Sequence, residues 1–181
     1  EYVLERIKNR ADIFQVLDLG TGTGCLLLAL LSELPAAKGV GVDYCNDALL
    51  VAKENSMALG FAGRTQFMHG DWCEQLEGKF DIILANPPYI PTAVIPTLDP
   101  EVSEFEPMLA LDGGEDGLSC YRKIMKSLPK VLAKNGFVAF ELGVGQQREL
   151  TALAVENGLE VVGVRNDLSG IARCIILQHK D

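Results

Sequence analysis

The sequence predicts an α/β fold built on a mainly parallel sheet with helices on both faces, and three observations carry that expectation. Short apolar segments of strand length alternate with longer segments of helical character along the chain, the pattern of strands joined by crossover helices. The first apolar segment, Val16-Leu17-Asp18-Leu19, runs straight into a glycine-rich turn, Gly20-Thr21-Gly22-Thr23-Gly24. The second ends on a carboxylate, Asp43. In an open α/β sheet such turns and acids gather at the carboxyl ends of the strands, where ligands bind.

The elements follow in order. Gln15 to Leu19 reads as the first strand, and Cys25 to Leu34 as a helix that is almost wholly apolar and therefore expected to be buried. The glycines between them let the backbone turn tightly and approach a ligand, and the helix start offers free N–H groups. The dinucleotide pattern G-x-G-x-x-G would place a glycine at position 25, where Cys25 stands. Lys38 to Asp43 reads as the second strand, with Gly41 inside it weakening the strand or permitting a close backbone approach. A strand-end acid such as Asp43 suits the two hydroxyls of a ribose. Thr65 to His69 reads as the third strand, with His69 making a structural hydrogen bond at its end. Asp71 after it can accept the hydrogens of an adenine amino group, and Trp72 can wall the base or fill the core.

Phe80 to Asn86 reads as a buried fourth strand, and Asn86-Pro87-Pro88-Tyr89 follows. Two consecutive prolines end any ladder or helix, because neither nitrogen carries a donor. The Pro87 carbonyl is then left at the strand end beside an amide side chain and an aromatic ring. Two oxygens and a ring suit a planar group bearing an NH2, gripped at both hydrogens and covered on its face. The following loop, with Pro88, Pro91, Pro96, Pro100 and Pro107, has the length and position of a substrate lid and reads equally as a disordered linker in the absence of substrate. Glu115 to Lys134 reads as a helix kinked or broken at Pro129, and Lys123, Lys126, Lys130 and Lys134 form a solvated face on it. Phe137 to Leu142 reads as a fifth strand, Gln146 to Asn157 as a helix ended by Gly158, and Leu159 to Val164 with Arg173 to Gln178 as a hairpin-like closing pair.

Composition narrows the class. At 181 residues the chain is long enough for one α/β core and short for two, so residues 1–181 are expected to form a single domain. Five scattered cysteines without a C-x-x-C pair point to reduced thiols in the cytoplasm, and two histidines make a histidine-rich metal site implausible, so no metal is expected. No signal peptide is visible, and no apolar run reaches the roughly 18 residues of a membrane span. A net charge of −9 argues against a phosphate backbone as partner, so direct nucleic-acid binding is not expected.

Together, Asp18-Leu19-Gly20-Thr21-Gly22-Thr23-Gly24, Asp43, Asp71-Trp72 and Asn86-Pro87-Pro88-Tyr89 resemble the class I S-adenosylmethionine-dependent methyltransferases. Three further stretches are similar to the HemK/PrmC family, the peptide chain release factor glutamine N5-methyltransferases. Phe105 to Leu111 matches F-E-P-x-x-A-L, Glu141 to Gln146 matches E-x-G-x-x-Q, and Asp167 to Arg173 matches D-L-S-G-x-x-R. The resemblance implies a Rossmann-like, mainly parallel seven-stranded sheet with an antiparallel closing strand. It implies S-adenosyl-L-methionine as cofactor, held by Asp18, Gly20, Thr21, Gly22, Thr23, Gly24, Asp43, Asp71, Trp72 and Asn86. It also implies methylation of the glutamine in the Gly-Gly-Gln loop of class 1 release factors, with Asn86, Pro87, Pro88 and Tyr89 at the reacting amide. Family members carry a small helical domain ahead of the catalytic one, and Glu1-Tyr2-Val3-Leu4-Glu5-Arg6 stands close to where its linker would end. Two other readings stay open: an amino methyltransferase acting on adenine N6 or guanine N2 of nucleic acid, and a nucleotide-binding module without catalysis.

Overall fold

Seven strands form one sheet in the order β3-β2-β1-β4-β5-β7-β6; the structure is a computed structural model and describes residues 1–180. β1 (Gln15–Leu19), β2 (Lys38–Asp43), β3 (Thr65–His69) and β4 (Phe80–Ala85) lie within a residue of the segments read from sequence. β1 is central and pairs in parallel with both β2 and β4. β5 (Leu132–Glu141) continues the parallel set beside β4. β7 (Ala172–His179) runs antiparallel between β5 and β6 (Leu159–Asn166), so one reversed strand closes the sheet.

Helices cover both faces because each brings one apolar side. On one face, α2 (Cys25–Glu33) and α3 (Asn46–Ala58) bury Leu27, Leu31, Leu49 and Ala52 against Val16, Ile82 and Ile176. A one-turn helix, α1 (Tyr2–Glu5), packs Tyr2, Val3 and Leu4 at the same face. On the other face, α6 (Ser119–Val131) and α7 (Gln147–Glu156) bury Tyr121, Ile124, Leu128 and Leu150 against Leu17, Ile83 and Phe140. Tyr121 is fully buried, and its hydroxyl donates to the Glu141 carbonyl at 2.7 Å, which satisfies both groups inside the core.

Several sequence expectations are corrected. α2 is not wholly buried, since it lies flat on the sheet and leaves Leu26 50% exposed on its outer side. α6 starts at Ser119 rather than Glu115, because Gly117 holds a left-handed φ of 75° ahead of it. It ends at Val131, two residues after Pro129 removes a helix donor. Lys134 therefore sits in β5, apart from the helical lysines. Lys79 donates to the carbonyls of Pro129 and Leu132 at this helix end. His69 meets the Tyr44 ring, centroids 5.5 Å apart, and makes no side-chain hydrogen bond among the described residues. The proline-rich loop contains short helical turns, α4 (Pro100–Ser103) and α5 (Met108–Leu111), and is tied back by a bridge between Ile90 and Asp112.

Gly41 explains how the sheet and the turn after β1 approach so closely. A Cβ there would lie 2.7 Å from Phe67 Cδ1 and 2.9 Å from Thr21 Cγ2. Gly41→Ala should therefore lower the urea unfolding free energy by about 1–3 kcal/mol, the usual cost of overpacking a tight core. An unchanged midpoint would mean the two layers separate there without cost.

Candidate active site

The parallel strands end on one rim, and strand order reverses between β1 and β4. Turns leaving these two strands diverge and open a crevice at that point. A cavity of about 670 Å3 occupies it. Its walls are Gly20, Gly22 and Thr23 after β1, Val42 to Cys45 and Ala48 at β2 and α3, Gly70 to Trp72 after β3, and Asn86 and Pro88 after β4. Glu106, Pro107, Leu109, Ala110, Asp112 and Cys120 complete it from the opposite side.

The glycine turn is shaped by left-handed backbone at Gly20, Gly22 and Gly24, with φ of 70°, 55° and 82°, which other residues adopt only at a cost. The Val42 carbonyl accepts from the N–H groups of both Gly20 and Thr21, at 2.9 and 3.0 Å. Asp43 completes the fastening. Its Oδ2 accepts from Gly22 N–H at 2.7 Å and its Oδ1 from Cys45 N–H at 2.8 Å. Each carboxylate oxygen keeps a further lone pair for a hydroxyl. From α3, the Asn55 side chain donates to the Thr23 carbonyl at 3.0 Å and holds the turn from outside.

Asp18 and Thr21 lie beneath this turn and do not line the cavity. Asp18 is 1% exposed, and its Oδ2 accepts from the Thr21 hydroxyl at 2.7 Å. Its Oδ1 has no hydrogen-bond partner of normal geometry among the described residues. Burial pushes its pKa up to about 6; the Thr21 hydroxyl and the Leu27 amide oppose the shift, and the Asp43 charge adds to it.

Across the cavity, Trp72 sits at a φ of 56°, a left-handed backbone that stores about 1 kcal/mol of strain in a non-glycine residue. Its ring comes within 3.2 Å of where a Cβ on Gly20 would stand, so Trp72 lies against the glycine turn as well as the core. The Asp71 carboxylate is paired with Lys123 of α6 through Oδ2. Lys123 also lies 3.5 Å from Glu74. The lysine expected on a merely solvated face thus steers an acid of the cavity wall.

Asn86 is exposed at the end of β4, and Pro87 beside it is buried. Among the described residues no donor meets the Pro87 carbonyl, and no partner engages the Asn86 carboxamide. Tyr89, expected to cover an acceptor amide, does not line the cavity. Its ring packs against the core, and its hydroxyl donates to Glu141 at 3.3 Å. Burial, reinforced by the Glu141 charge, pushes the Tyr89 phenol pKa up. Gly24 also lies off the cavity wall, at the start of α2. Sequence reasoning assigned no site role to Tyr44, Cys45, Ala48 and Cys120. The lid reading of the proline-rich loop reached only to Pro107; Glu106 and Pro107 do line the cavity, and Leu109 and Ala110 beyond them extend that wall. Burial, reinforced by the charges of Asp112 and Asp71, pushes the Cys120 thiol pKa up. Among the described residues no group of acids, histidines and cysteines is placed to hold a metal ion, and no helix is long and apolar enough to cross a membrane.

The model of the methyltransferase small domain matches residues 1–95 of this chain. The chain belongs to the methyltransferase small domain family. Among curated relatives, this methyltransferase domain is 46% identical over 166 residues to a release factor glutamine methyltransferase of Rhodospirillum rubrum, covering 92% of this chain and 51% of that protein. It is 41% identical over 176 residues to one of Agrobacterium fabrum, covering 97% of this chain and 61% of that protein. The chain therefore spans about half the length of the curated relatives it matches. The fold is that of a ribosomal protein L11 methylase from Lactobacillus delbrueckii subsp. bulgaricus, with a TM-score of 0.72 at 19% identity over 98% of this chain and 75% of that one. It is also that of TrmN from Thermus thermophilus, with a TM-score of 0.63 at 21% identity over 92% of this chain and 44% of that one.

Asp18 gives this methyltransferase domain a testable pH signature. Its carboxyl rises from 3.8 to about 6 on folding, so the folded state holds an extra proton between those values. The associated stability is full below about pH 4 and is lost as pH rises through about 6. Asp18→Asn removes that titration. Relative to wild type, the variant should gain up to about 3 kcal/mol of unfolding free energy between pH 4 and pH 7, read from urea denaturation at each pH. Parallel profiles for the two proteins would show that Asp18 is ionised throughout.

Proposed function

We propose that this domain transfers a methyl group from S-adenosylmethionine to the side-chain amide nitrogen, N5, of the glutamine in the Gly-Gly-Gln loop of class 1 peptide chain release factors. The observation that carries the reading is the strand end after β4. There a carboxamide, Asn86, and a carbonyl, Pro87, stand without hydrogen-bond partners among the described residues, on the rim that also carries Asp43 and Asp71. The names of the curated relatives support the choice of substrate.

The residues present fit the cofactor. Asp43 would accept the ribose hydroxyls through its spare lone pairs, Asp71 and Trp72 would flank the adenine, and the turn from Gly20 to Gly24 would lie along the methionine part. The unpartnered Asp18 Oδ1 beneath that turn would balance positive charge brought to it. When bound, the cofactor supplies an electrophilic methyl whose carbon–sulfur electron pair returns to sulfur on transfer.

The acceptor chemistry falls to the chain. An amide nitrogen is a weak nucleophile because its lone pair is shared with the carbonyl. Asn86 Oδ1 and the Pro87 carbonyl would accept its two N–H bonds, aim the lone pair at the methyl and stabilise the positive charge that grows as the nitrogen–carbon bond forms. The nitrogen then loses one proton to solvent, leaving the neutral methylamide. No thiol, amine or imidazole is required as base. Tyr89, tied to Glu141, holds the far end of the turn.

The cavity wall carries Asp43, Asp71, Glu106 and Asp112 and no Lys or Arg, which disfavours a phosphate backbone and favours a protein acceptor. Five free thiols suit a reducing compartment such as the cytoplasm. The test is mass spectrometry of substrates incubated with the domain and cofactor: release factor in one tube, DNA and ribosomal RNA in others. One added methyl on the Gly-Gly-Gln glutamine is expected. A methyl found only on a base would replace this reading with the nucleic-acid one.

A further inference from the structure

We propose that Gln146 is a positioning residue for the Asn-Pro-Pro-Tyr turn, an inference that rests on the amide-transfer role proposed for that turn. Gln146 lies just ahead of α7, 57 residues from Tyr89 in sequence. Its Nε2 donates to the Tyr89 carbonyl at 3.0 Å and to the Gly117 carbonyl at 3.2 Å, while its Oε1 accepts from Gly143 N–H at 2.8 Å. One carboxamide thus joins three segments: the turn after β4, the loop before α6 and the loop after β5.

The chemistry requires an amide here. Two carbonyl oxygens face the nitrogen and one N–H faces the oxygen, so the reverse orientation would set three oxygens together. A carboxylate could keep the Gly143 bond but would repel both carbonyls. Packing is close enough to exclude side chains around it. A Cβ on Gly117 would lie 2.3 Å from the Tyr89 carbonyl oxygen, and one on Gly143 would lie 2.8 Å from Gln146 Oε1 and 2.9 Å from Tyr89 Cδ2. Gly117 also holds its φ of 75°.

The turn needs such an anchor because it cannot hold itself. Pro87 and Pro88 donate nothing. The next fastenings are downstream, where Ile90 N–H donates to the Leu111 carbonyl at 3.1 Å and Thr92 N–H to the Gly114 carbonyl at 3.0 Å. Tyr89 bonds Glu141 through its hydroxyl, at the tip of a rotatable side chain. The β4 ladder ends at Ala85, and the Gln146 bond holds the first peptide after the two prolines by its carbonyl, the Ile90 N–H bond to Leu111 holding the same peptide by its nitrogen. Without it the two acceptors keep their identity and lose their aim.

Gln146→Glu and Gln146→Ala test this in single-turnover methylation of release factor, with cofactor affinity measured by calorimetry. At pH 8 both should be slower than wild type by about ten- to a hundredfold, the scale of a reacting group misplaced by about an ångström, with cofactor affinity near wild type. On lowering the pH, Gln146→Glu should recover relative to wild type, because a protonated carboxyl can donate to a carbonyl again, and Gln146→Ala should not. Wild-type rates in both variants, or a loss matched by lost cofactor affinity and flat with pH, would overturn the proposal. If wild type itself fails to methylate release factor, the proposed substrate is wrong, and hydrogen exchange in the substrate-free protein decides the role of Gln146. The Ile90 and Thr92 amides should exchange faster in Gln146→Ala than in wild type, and equal exchange would overturn the positioning role.

Discussion

The Asp43 carboxylate accepts one backbone N–H from each of two turns, Gly22 at 2.7 Å and Cys45 at 2.8 Å, and the geometry of the rim depends on that pair of bonds. Charge-assisted bonds of this length are about twice as strong as neutral ones. They fasten the glycine turn after β1 to the start of α3, so the two walls of the cavity hold a fixed spacing. Gly41 contributes from below by letting Phe67 and Thr21 close over the strand. The same acid that holds the frame is the one proposed to accept the ribose hydroxyls through its spare lone pairs, so in that reading frame and recognition are one device.

The opposite wall solves a different problem. The proposed amide acceptor would need two hydrogen-bond acceptors that the protein itself leaves unused, and most strand ends cannot supply them, because backbone carbonyls find donors in the next turn. The two prolines after Asn86 remove those donors. That freedom would make the turn loose if nothing else held it. The fastening comes from outside the motif, from Gln146 at the Tyr89 carbonyl and from Glu141 at the Tyr89 hydroxyl, both on segments that follow it in the chain. Fastening through Tyr89 leaves Asn86 and Pro87 free for the role proposed for them.

Much of this was legible in the sequence, for local reasons. The first four strands are short apolar runs bounded by glycine, proline or an acid, so their limits lie within a residue of expectation. α3 was not singled out, because it buries only Leu49, Ala52 and Ser56 and its remaining residues read as an ordinary polar stretch. The pairing of Lys123 with Asp71 and the bond of Gln146 to Tyr89 span 52 and 57 residues. No periodicity or spacing encodes contacts of that range. The loop up to Pro107 was legible as a lid, but that the motif carries the wall on through Leu109 and Ala110 shows only in the folded loop. Tyr89 shows the converse: the motif suggested a ring over the substrate, while packing turns that ring to the core.

The central claim is that Asn86 orients the acceptor amide and does not merely hold the cofactor. The most direct measurement is single-turnover methylation of release factor by wild type, Asn86→Ala and Asn86→Asp, with cofactor affinity determined separately for each. Losing one preorganised hydrogen bond should slow Asn86→Ala by about a hundredfold or more, with a much smaller loss of cofactor affinity. Asn86→Asp keeps an acceptor oxygen and should retain more activity than the alanine variant. A wild-type rate in Asn86→Ala, or a loss explained fully by weaker cofactor binding, would contradict the account.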